Sequence, residues 1–593
     1  MDRPNLVDLV RRPHESGDGP AVISADGTLG YDEMWRRVGA TAACLADRGV
    51  RAGDRVGLYF HRSAEYVTSL LATLSTGAVA VPVDPEYPAD RVEQMLRAAA
   101  PRLVLHGGDH RHDGTPARPH DWVDVSGPEV DDTATRQRAR TVPARREGRW
   151  SRDPALILFT SGSTGRPKGV VLHHAGVVNR LVWGHRQYRL DDTDRVLHKA
   201  SIAFDASLHE IMAPLIAGGT LVIAPAGLQF DGRGLARLMQ DTATTTAHFV
   251  PSMLRHMLDE PELEFCTDLR RVYSGGEPLD MDLVRRLRTL LPQCAVFNQY
   301  GPTETSLSVT YWDADEPFDG RIAPLGRAID GVDLHVLGPD MAPVAEGGTG
   351  ELWVGGTGVG CGYLDDEEQT DARFRPDPYG PPGGRLYRTG DLVSVAPAGY
   401  LEFRGRVDDQ VKVRGVRVEP GEVASVLRGH PQVRDAAVVS VPDAASGVRL
   451  VAYVAARPGA PLTAGDLRSH TAPVLPPAMQ PQQVVFLADL PRLPNGKLSR
   501  LDLPDPPEFP AATEDPGAVG TAARLREIWR QTLGVDAIAD DDDFVALGGH
   551  SLTALRISAR AREETGIETA PVSCLEAPSF GEWLAAATTA VHG

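Results

Sequence analysis

A loop rich in glycine and hydroxyl side chains, residues 159–169, carries the clearest chemical signal in the sequence. Its sequence, FTSGSTGRPKG, directly follows the apolar run ALILF, which is typical of a buried strand. Backbone N–H groups next to the glycines can converge on an anion, and the hydroxyls and Lys168 add donors and charge. The spacing is not that of a Walker A loop. The predicted phosphate-binding residues are Thr160, Ser161, Gly162, Ser163, Thr164, Gly165 and Lys168.

The composition of the chain excludes several classes of protein. Its 593 residues contain 61 Lys and Arg against 80 Asp and Glu, a net charge of −19, which argues against general binding to nucleic acid or to anionic membranes. The five cysteines are far apart, so they predict neither a disulfide framework nor a paired-cysteine metal site. The N-terminus lacks an apolar signal core, and no apolar run is long enough to cross a membrane. We expect a cytoplasmic enzyme of several domains.

The elements that must position the loop alternate between strands and helices. Period-two and continuous apolar runs predict strands at 55–60, 78–83, 156–161, 219–224, 334–338 and 350–355. Helical spacing predicts amphipathic helices at 31–49 and 278–291. Such alternation is typical of α/β layers. A Pro-rich acidic stretch near 503–520 predicts a linker, and three helical patterns after it, at 521–534, 551–566 and 579–590, predict a small helical bundle.

Further short motifs follow one another along the chain. They are LGYDEM at 29–34, STGAVAVPVD at 75–84, FDAS at 204–207, NQYGPTE at 298–304, GEL at 350–352, YRTGDL at 387–392, GRVD at 405–408 and NGK at 495–497. In this order, and together with the loop, they resemble the adenylate-forming enzymes, and specifically the adenylation domains of nonribosomal peptide synthetases. The resemblance covers nearly the whole chain, and the order of the motifs makes it specific.

The resemblance implies a fold class and a set of domains. It implies an α/β multidomain protein with a large core of layered α/β sheets plus a small β-barrel, and with a small α+β C-terminal subdomain. The boundaries that we predict are an adenylation core at 1–407, a mobile subdomain at 408–503, a linker at 504–520 and a four-helix-bundle carrier domain at 521–593.

The same resemblance implies which residues hold the nucleotide. Asn298 is expected to contact the adenine amino group and Tyr300 to stack on the base, while Asp391 and Arg406 are expected to contact the ribose. Taken without their motifs, these residues have structural alternatives, such as Tyr300 in the core and Asp391 in a turn.

Catalysis of adenylate formation requires positioning and charge neutralisation, because a carboxylate attacks the α-phosphorus of ATP and both partners are anions. By resemblance, Thr303 donates to the α-phosphate and Glu304 binds Mg²⁺, a hard cation that suits a carboxylate. Lys497, after a Pro-Asn-Gly turn, is the expected mobile catalytic lysine, and Asp408 is the expected hinge. The second step is the transfer of the acyl group to a thiol. For that step, the face of the mobile subdomain near Gly415 is expected to turn toward the active site. A helix cap for Glu304 and a surface role for Lys497 are the alternatives.

The C-terminal segment contains a possible attachment site for a swinging thiol. Residues 543–552, DFVALGGHSL, are similar to the carrier-protein signature. The similarity implies that Ser551 carries 4'-phosphopantetheine, whose thiol takes the acyl group as a thioester. A serine that starts a helix is ordinarily an N-cap, and that is the alternative. The four aspartates at 540–543, at the start of this signature, would favour binding to a basic phosphopantetheinyl transferase.

The residues expected around the substrate indicate its class. In the family a carboxylate at the position of Asp205 pairs with the α-ammonium of an amino acid, a charge-assisted contact. The side-chain pocket is expected to offer hydrogen bonds without fixed charge, so we expect a neutral polar or aromatic amino acid. The residues expected to line this pocket are Ala206, His209, Ser252, Tyr273, Gly275, Gln299, Leu307 and Ser308.

The expected function is ATP-dependent loading of an amino acid onto the protein's own carrier domain. The cofactors implied are ATP, Mg²⁺ and 4'-phosphopantetheine. We expect a free-standing didomain that serves a downstream tailoring enzyme or synthetase, with an MbtH-like protein as a further partner that the sequence leaves open. Two other functions stay open: an acyl-CoA ligase that uses free coenzyme A, and a non-enzymatic binding protein with a decayed site.

Overall fold

The structure is a computed structural model that forms two compact units. The first unit is made of Met1–Gly162, Arg166–Ala226 and Ala236–Arg417, and most of the second is Val418–Gly593. Within the described residues, no helix is both long and apolar enough to cross a membrane. The residues described are 5–11, 19–108, 121–127, 152–162, 166–443, 447–457, 459, 462–492, 498–500, 502–506, 520–533, 535, 537–544, 547, 549, 551–569, 571–577 and 579–589.

Strands and helices alternate through the first unit. Its strands are β1 Pro20–Ser24, β2 Gly27–Gly30, β3 Arg55–Tyr59, β4 Val79–Val83, β5 Leu103–His106, β6 Asp121–Asp124, β7 Pro154–Thr160, β8 Lys168–His173, β9 Arg195–His198, β10 Thr220–Ile223, β11 Thr246–Phe249, β12 Arg271–Gly275, β13 Ala295–Tyr300, β14 Thr310–Asp313, β15 Arg327–Ala328, β16 Val332–Leu337, β17 Thr349–Gly356, β18 Gly362–Tyr363, β19 Phe374–Pro376, β20 Arg385–Val395, β21 Leu401–Arg406, β22 Val411–Val413 and β23 Val416–Val418, the last of which crosses the unit boundary.

The helices of this part of the chain confirm the predicted ones and add others. They are α1 Leu6–Arg11, α2 Tyr31–Asp47, α3 Ala64–Thr76, α4 Ala89–Ala99, α5 His174–Tyr188, α6 Asp205–Ala217, α7 Gly232–Asp241, α8 Pro251–Met257, α9 Met281–Leu290 and α10 Glu367–Arg373. Local sequence explains their ends. For example, the Ser63 side chain accepts a hydrogen bond from the backbone of Tyr66 at the start of α3, and Gly77 ends that helix with a φ of 79°.

Two large sheets, both mainly parallel, form the framework. One has nine strands in the order β15-β14-β13-β12-β11-β9-β10-β1-β2, and the other has seven in the order β18-β8-β7-β4-β3-β5-β6. The residues of β4 are all buried, as expected for a parallel strand covered on both faces. The strands predicted at 55–60, 78–83, 156–161 and 219–224 are confirmed within these sheets.

A third, antiparallel sheet contains the two strands predicted at 334–338 and 350–355. Its strand order is β16-β17-β20-β19, with β21 paired to β20. The resemblance also implies a small β-barrel. In this region, the described strand pairings form an open sheet. β20 and β21 place Asp391 directly opposite Arg406.

The second unit begins with a small α+β region. Its strands are β24 Val433–Asp443, β25 Gly447–Ala456 and β26 Gln483–Leu487, and its helices are α11 Pro420–Arg428 and α12 Ala464–Thr471. β25 pairs with β24 in antiparallel fashion and with β26 in parallel fashion.

Four helices around a shared apolar core follow toward the C-terminus. They are α13 Thr521–Leu533, α14 Ser551–Thr565, α15 Pro571–Glu576 and α16 Phe580–Thr589. The ring of Trp529 lies 5.0 Å from each of the rings of Phe544, Phe580 and Trp583. The three predicted helices are confirmed. The short α15 has no clear helical period in the sequence and was not predicted.

Candidate functional site

The predicted phosphate-binding loop connects two strands that pair with each other. Thr160, the last residue of β7, lies opposite Lys168, the first residue of β8. A Cβ atom added to Gly162 would lie 2.0 Å from the carbonyl oxygen of Arg166, so the turn requires glycine there. The Ser161 hydroxyl donates to the carbonyl of Arg417 at 2.9 Å. The remaining predicted loop residues, Ser163, Thr164 and Gly165, lie outside the described residues.

Three of the predicted nucleoside residues lie together although they come from three different strands, β13, β20 and β21. Tyr300, at the end of β13, donates from its hydroxyl to Asp391 Oδ2 at 2.5 Å. Arg406 forms an ion pair with the other oxygen of the same carboxylate. Asn298, two residues before Tyr300, donates from Nδ2 to the carbonyl of Pro324 at 2.7 Å. The arrangement places an aromatic ring beside a carboxylate that can accept hydrogen bonds from ribose hydroxyls.

The predicted hinge, Asp408, is held by two arginines. Arg406 Nε donates to Asp408 Oδ1 at 2.7 Å, and Arg373 Nη2 donates to Oδ2 at 3.3 Å. Burial acts to raise the pKa of Asp408, but the two guanidinium groups outweigh it and hold that pKa below its usual range. Arg406, which pairs with the predicted ribose ligand Asp391, therefore also bonds the predicted hinge residue.

Glu304, the predicted magnesium ligand, is fully buried in the short helical turn Thr303–Thr305. The Tyr363 hydroxyl donates to its Oε1 at 2.8 Å. Arg417 Nη1 donates to both of its oxygens at 2.9 Å. Burial acts to raise the pKa of Glu304, but Arg417 and Tyr363 hold it below its ordinary value, so the side chain is a carboxylate. An ionised carboxylate suits Mg²⁺, but in this structure Arg417 occupies both of its oxygens.

The carboxylate expected to bind the substrate ammonium, Asp205, is the half-buried first residue of α6. Burial raises its pKa above the usual range, although a hydrogen bond from Thr303 and the charge of Lys412 oppose the shift. The ammonium of Lys412 lies 6.0 Å from the ring centre of Tyr300. Burial lowers the pKa of Lys412, while Asp391 and Asp205 act to raise it. Asp205 thus faces Thr303 and the ammonium of Lys412.

Several predicted pocket residues lie together behind Asp205. His209, one helical turn after Asp205, contacts the ring of Tyr273 with a centroid distance of 5.0 Å. The Tyr273 ring in turn lies 4.6 Å from that of Tyr188. Gln299 donates from Nε2 to the Tyr188 hydroxyl at 2.9 Å.

The Gln299 side chain is fixed from several sides. Its Oε1 accepts from Ser308 Oγ at 3.1 Å and from Arg180 Nη2 at 3.1 Å. A Cβ added to Gly275 would lie 2.5 Å from the Gln299 carbonyl oxygen, so β12 and β13 approach closely at this point. Ala206 is half-buried at the start of α6.

Other predicted residues do not join this group. Ser252 donates its hydroxyl to Glu277 Oε1 at 3.0 Å, and the backbone N–H of Gly415 donates to the same oxygen at 2.7 Å. Leu307 packs in the apolar core with a positive φ of 76°. Lys497 lies outside the described residues, and for Ser551 the structure describes the helical backbone only.

Five residues that contact the candidate site were not predicted from the sequence. Lys412 and Arg417 lie shortly after the GRVD motif, so the motif and the residues that follow it could have predicted them. Arg180, Tyr188 and Glu277 lie in segments without a recognisable motif. Their place in the site follows from packing alone.

Comparison with known families agrees with this geometry. Residues 9–364 match the AMP-binding enzyme family, residues 422–497 match the AMP-binding enzyme C-terminal domain, and residues 523–587 match the phosphopantetheine attachment site. The fold and the site define a nucleotide-dependent, adenylate-forming class of enzyme. The chain belongs to the AMP-binding enzyme family, and it continues into a carrier-type domain.

Individual relatives agree as well. Phosphinothricin tripeptide synthetase PhsB of Streptomyces viridochromogenes is 38% identical over 599 residues, which cover 98% of this chain and 49% of PhsB. The chain thus spans about half the length of that relative.

Solved structures share the fold. A holo NRPS protein containing adenylation and PCP domains, bound to a vinylsulfonamide inhibitor, is 26% identical with a TM-score of 0.80, covering 99% of this chain and 97% of its own. An o-succinylbenzoate CoA synthetase from Bacillus subtilis has a TM-score of 0.72 at 23% identity, covering 85% of this chain and 99% of its own. The second likeness shows the fold alone.

Proposed function

We propose that this chain uses ATP to activate an amino acid as an aminoacyl adenylate. It then transfers the aminoacyl group to a phosphopantetheine thiol on its own carrier domain, in the assembly of a nonribosomal peptide or related metabolite. The observation that carries the proposal is Asp205, a carboxylate beside Thr303 at the start of α6, in a chain that also holds a phosphopantetheine attachment domain. A carboxylate in that place selects a substrate with a cationic amino group.

The residues of the site supply what the first reaction needs. The donors near the phosphate loop, Ser161 and Lys168, neutralise and orient the phosphates, and Thr303 donates beside Asp205. Asp391 and Arg406 hold the ribose. Positioning and charge neutralisation reduce the barrier because the attacking carboxylate and the phosphate are both anions.

Magnesium and the catalytic lysine complete this site. Glu304 would hold Mg²⁺, which supplies positive charge to the phosphate oxygens when it is bound. Lys497 is proposed to supply the mobile positive charge that reaches the substrate carboxylate and the α-phosphate, and Asp408 is proposed as the hinge. The supporting observation for the hinge is its position between Arg373 and Arg406, the second of which also pairs with Asp391.

The carrier domain provides the acceptor of the second reaction. Ser551 starts α14, and a Cβ added to Gly549 would lie 2.4 Å from the carbonyl oxygen of Phe544, so the turn before the helix is tight. This backbone fits a serine presented at a turn, and the attached pantetheine would supply the thiol. The second candidate, an acyl-CoA ligase, shares the fold with the CoA synthetase described above. The carrier domain and Asp205 favour the first function.

The proposal also includes the domain boundaries, the location and the partners of the protein. The core is 1–407, the mobile subdomain 408–503, the linker 504–520 and the four-helix-bundle carrier 521–593, in a cytoplasmic protein. A phosphopantetheinyl transferase modifies Ser551, and a downstream synthetase or tailoring enzyme takes the aminoacyl group. An MbtH-like protein is a further proposed partner.

The direct test is amino-acid-dependent ATP–pyrophosphate exchange. The full chain is assayed with each proteinogenic amino acid and with aryl and fatty acids. Exchange with an amino acid supports the proposal, whereas exchange with an aryl or fatty acid alone, or with none of the substrates, would overturn it.

A further inference from the structure

Arg180 on α5 is a buried cation. Only 1% of the surface of Arg180 is exposed to solvent, and its Nη2 donates to Gln299 Oε1 at 3.1 Å. The Tyr188 hydroxyl also interacts with the guanidinium, but among the described residues Nε and Nη1 have no well-formed hydrogen bond and no carboxylate forms an ion pair with the group. Its guanidinium carbon lies 5.1 Å from the ring centre of Trp183 and 5.9 Å from that of Tyr188. Arginine is almost never fully buried unless it is paired with an anion.

The fold holds this side chain in place. A Cβ added to Gly184, one turn further along α5, would lie 2.5 Å from Arg180 Nη1. Glycine is unfavourable in the interior of a helix, yet this position leaves the space that the guanidinium occupies. Gln299 is fixed on the other side by Tyr188 and Ser308. The buried cation is therefore a built part of the pocket wall.

The other free polar atoms of the pocket can also donate. The Tyr273 hydroxyl and His209 Nε2 are buried without a hydrogen-bond partner among the residues that the structure describes. Burial, followed by the charge of Arg180, lowers the pKa of His209 well below its usual value, so the imidazole is neutral. A neutral imidazole can donate from one ring nitrogen, and a phenol can donate from its hydroxyl. A negatively charged hydrogen-bond acceptor would therefore satisfy both the donors of the pocket and the charge of Arg180.

We infer that the side-chain pocket takes an amino acid whose side chain ends in a carboxylate, the class of glutamate and aspartate. The inference rests on the proposed function, and it replaces the neutral polar or aromatic substrate expected from the sequence. That expectation included His209, Tyr273 and Gln299 but not the cation behind them. A carboxylate balances the guanidinium and accepts several hydrogen bonds, whereas a neutral side chain leaves the cation unpaired and a basic one adds a second positive charge.

The first test uses the unmodified full chain and pairs of matched substrates. ATP–pyrophosphate exchange is measured with glutamate against glutamine, and with aspartate against asparagine, together with tyrosine, histidine, leucine and lysine. We expect one acid to exceed its amide in kcat/KM by at least about 100-fold. Preference for an amide, an aromatic, an aliphatic or a basic amino acid overturns the inference and leaves the proposed function standing. Exchange with no amino acid overturns both.

The second test changes the cation. Arg180→Met is expected to lower kcat/KM for the preferred acid by at least about 100-fold and to reverse the preference toward the amide. The matched control is Arg186→Met on the same helix, because Arg186 is exposed and pairs with Asp330 at 2.9 Å. The control is expected to keep the ratio of acid to amide, and an unchanged ratio in Arg180→Met contradicts the inference.

A binding measurement covers the case in which Arg180→Met does not fold. The thermal unfolding of the unmodified chain is followed with increasing glutamate, aspartate and their amides, without ATP. A ligand that binds the native state raises Tm with its concentration. A rise with one acid and none with its amide supports the inference, and the reverse contradicts it.

Discussion

Arg417 donates to both carboxylate oxygens of Glu304 at 2.9 Å, although 113 residues separate the two along the chain. Glu304 is the residue proposed to bind Mg²⁺, so the guanidinium occupies the oxygens that would hold the metal ion. Arg417 lies in the segment that follows the proposed hinge Asp408. Metal binding at Glu304 is therefore expected to compete with the contact that Arg417 makes to the same carboxylate.

The first prediction concerns this pair. Arg417→Met leaves Glu304 buried without its cation, so we expect the free energy of unfolding to fall by about 2–4 kcal/mol at pH 7 in the absence of Mg²⁺. Because the pair holds the pKa of Glu304 below its ordinary value, the stabilisation is present above the pKa of an unfolded glutamate. It is lost as the pH falls through the depressed pKa of the folded state. Denaturant unfolding at pH 7 and pH 4 measures both effects.

The same variant should also bind Mg²⁺ more readily. Without the competing guanidinium, the Mg²⁺ concentration that gives half-maximal pyrophosphate exchange is expected to fall. Arg375→Met, at an exposed position of β19, serves as the control. An unchanged Mg²⁺ dependence together with unchanged stability in Arg417→Met would contradict competition for Glu304.

The second prediction is a pH dependence set by Asp205. Its raised pKa means that the carboxylate needed for the substrate ammonium becomes protonated at a higher pH than an ordinary aspartate. We expect kcat/KM for the amino acid to fall on the acid side with a midpoint above about 3.9, the pKa of a free aspartate. Asp205→Asn should lose at least about 100-fold of kcat/KM and flatten this acid limb. A wild-type midpoint at or below that of free aspartate would refute the assignment.

The third prediction concerns the ribose contact. Asp391→Asn removes the charge that accepts from Tyr300 and pairs with Arg406. We expect KM for ATP to rise by about 10-fold or more, as for the loss of a hydrogen bond to a charged group. With 2'-deoxy-ATP the variant should lose less, because one ribose hydroxyl is already absent. Glu402→Gln on β21 is the control, and equal losses with both nucleotides would exclude a ribose role.

Much of the candidate nucleotide site could be predicted because its residues lie in contiguous motifs. Side chains alternate between the faces of a strand, so the motif on β13 by itself separates Asn298 and Tyr300 from Gln299. The structure agrees: Tyr300 bonds Asp391, while Gln299 bonds Arg180 and Tyr188. Apolar periodicity also predicted six of the strands, the helices α2 and α9, and three helices of the C-terminal region.

The rest of the site depends on contacts between distant parts of the chain. Glu277 accepts from Gly415 across 138 residues, and Arg180 reaches Gln299 across 119 residues. No local pattern of α5 distinguishes the exposed Arg186 from the buried Arg180. The sequence shows which charged residues exist, but their pairing, and hence the charge of the pocket, is decided by packing.

The fourth prediction concerns Lys497. Lys497→Ala is expected to lower pyrophosphate exchange by at least about 100-fold, because one positive donor is lost where charge develops. The fold should survive, so the circular dichroism spectrum and Tm should stay close to those of the unmodified chain. The matched control is Arg492→Ala, a nearby basic residue that pairs with Asp435 and is expected to keep exchange. Normal exchange in Lys497→Ala would exclude its catalytic role.

The central claim, that the chain loads its own carrier domain, is tested most directly by intact mass. The purified full chain is treated with a phosphopantetheinyl transferase and coenzyme A, and then with ATP, Mg²⁺ and an amino-acid mixture. The account predicts a gain of one phosphopantetheine on Ser551 followed by one aminoacyl group. Ser551→Ala should gain neither while it keeps pyrophosphate exchange, and Ser579→Ala should behave as the unmodified chain. A holo protein that activates an amino acid but releases it only to free coenzyme A would contradict the account.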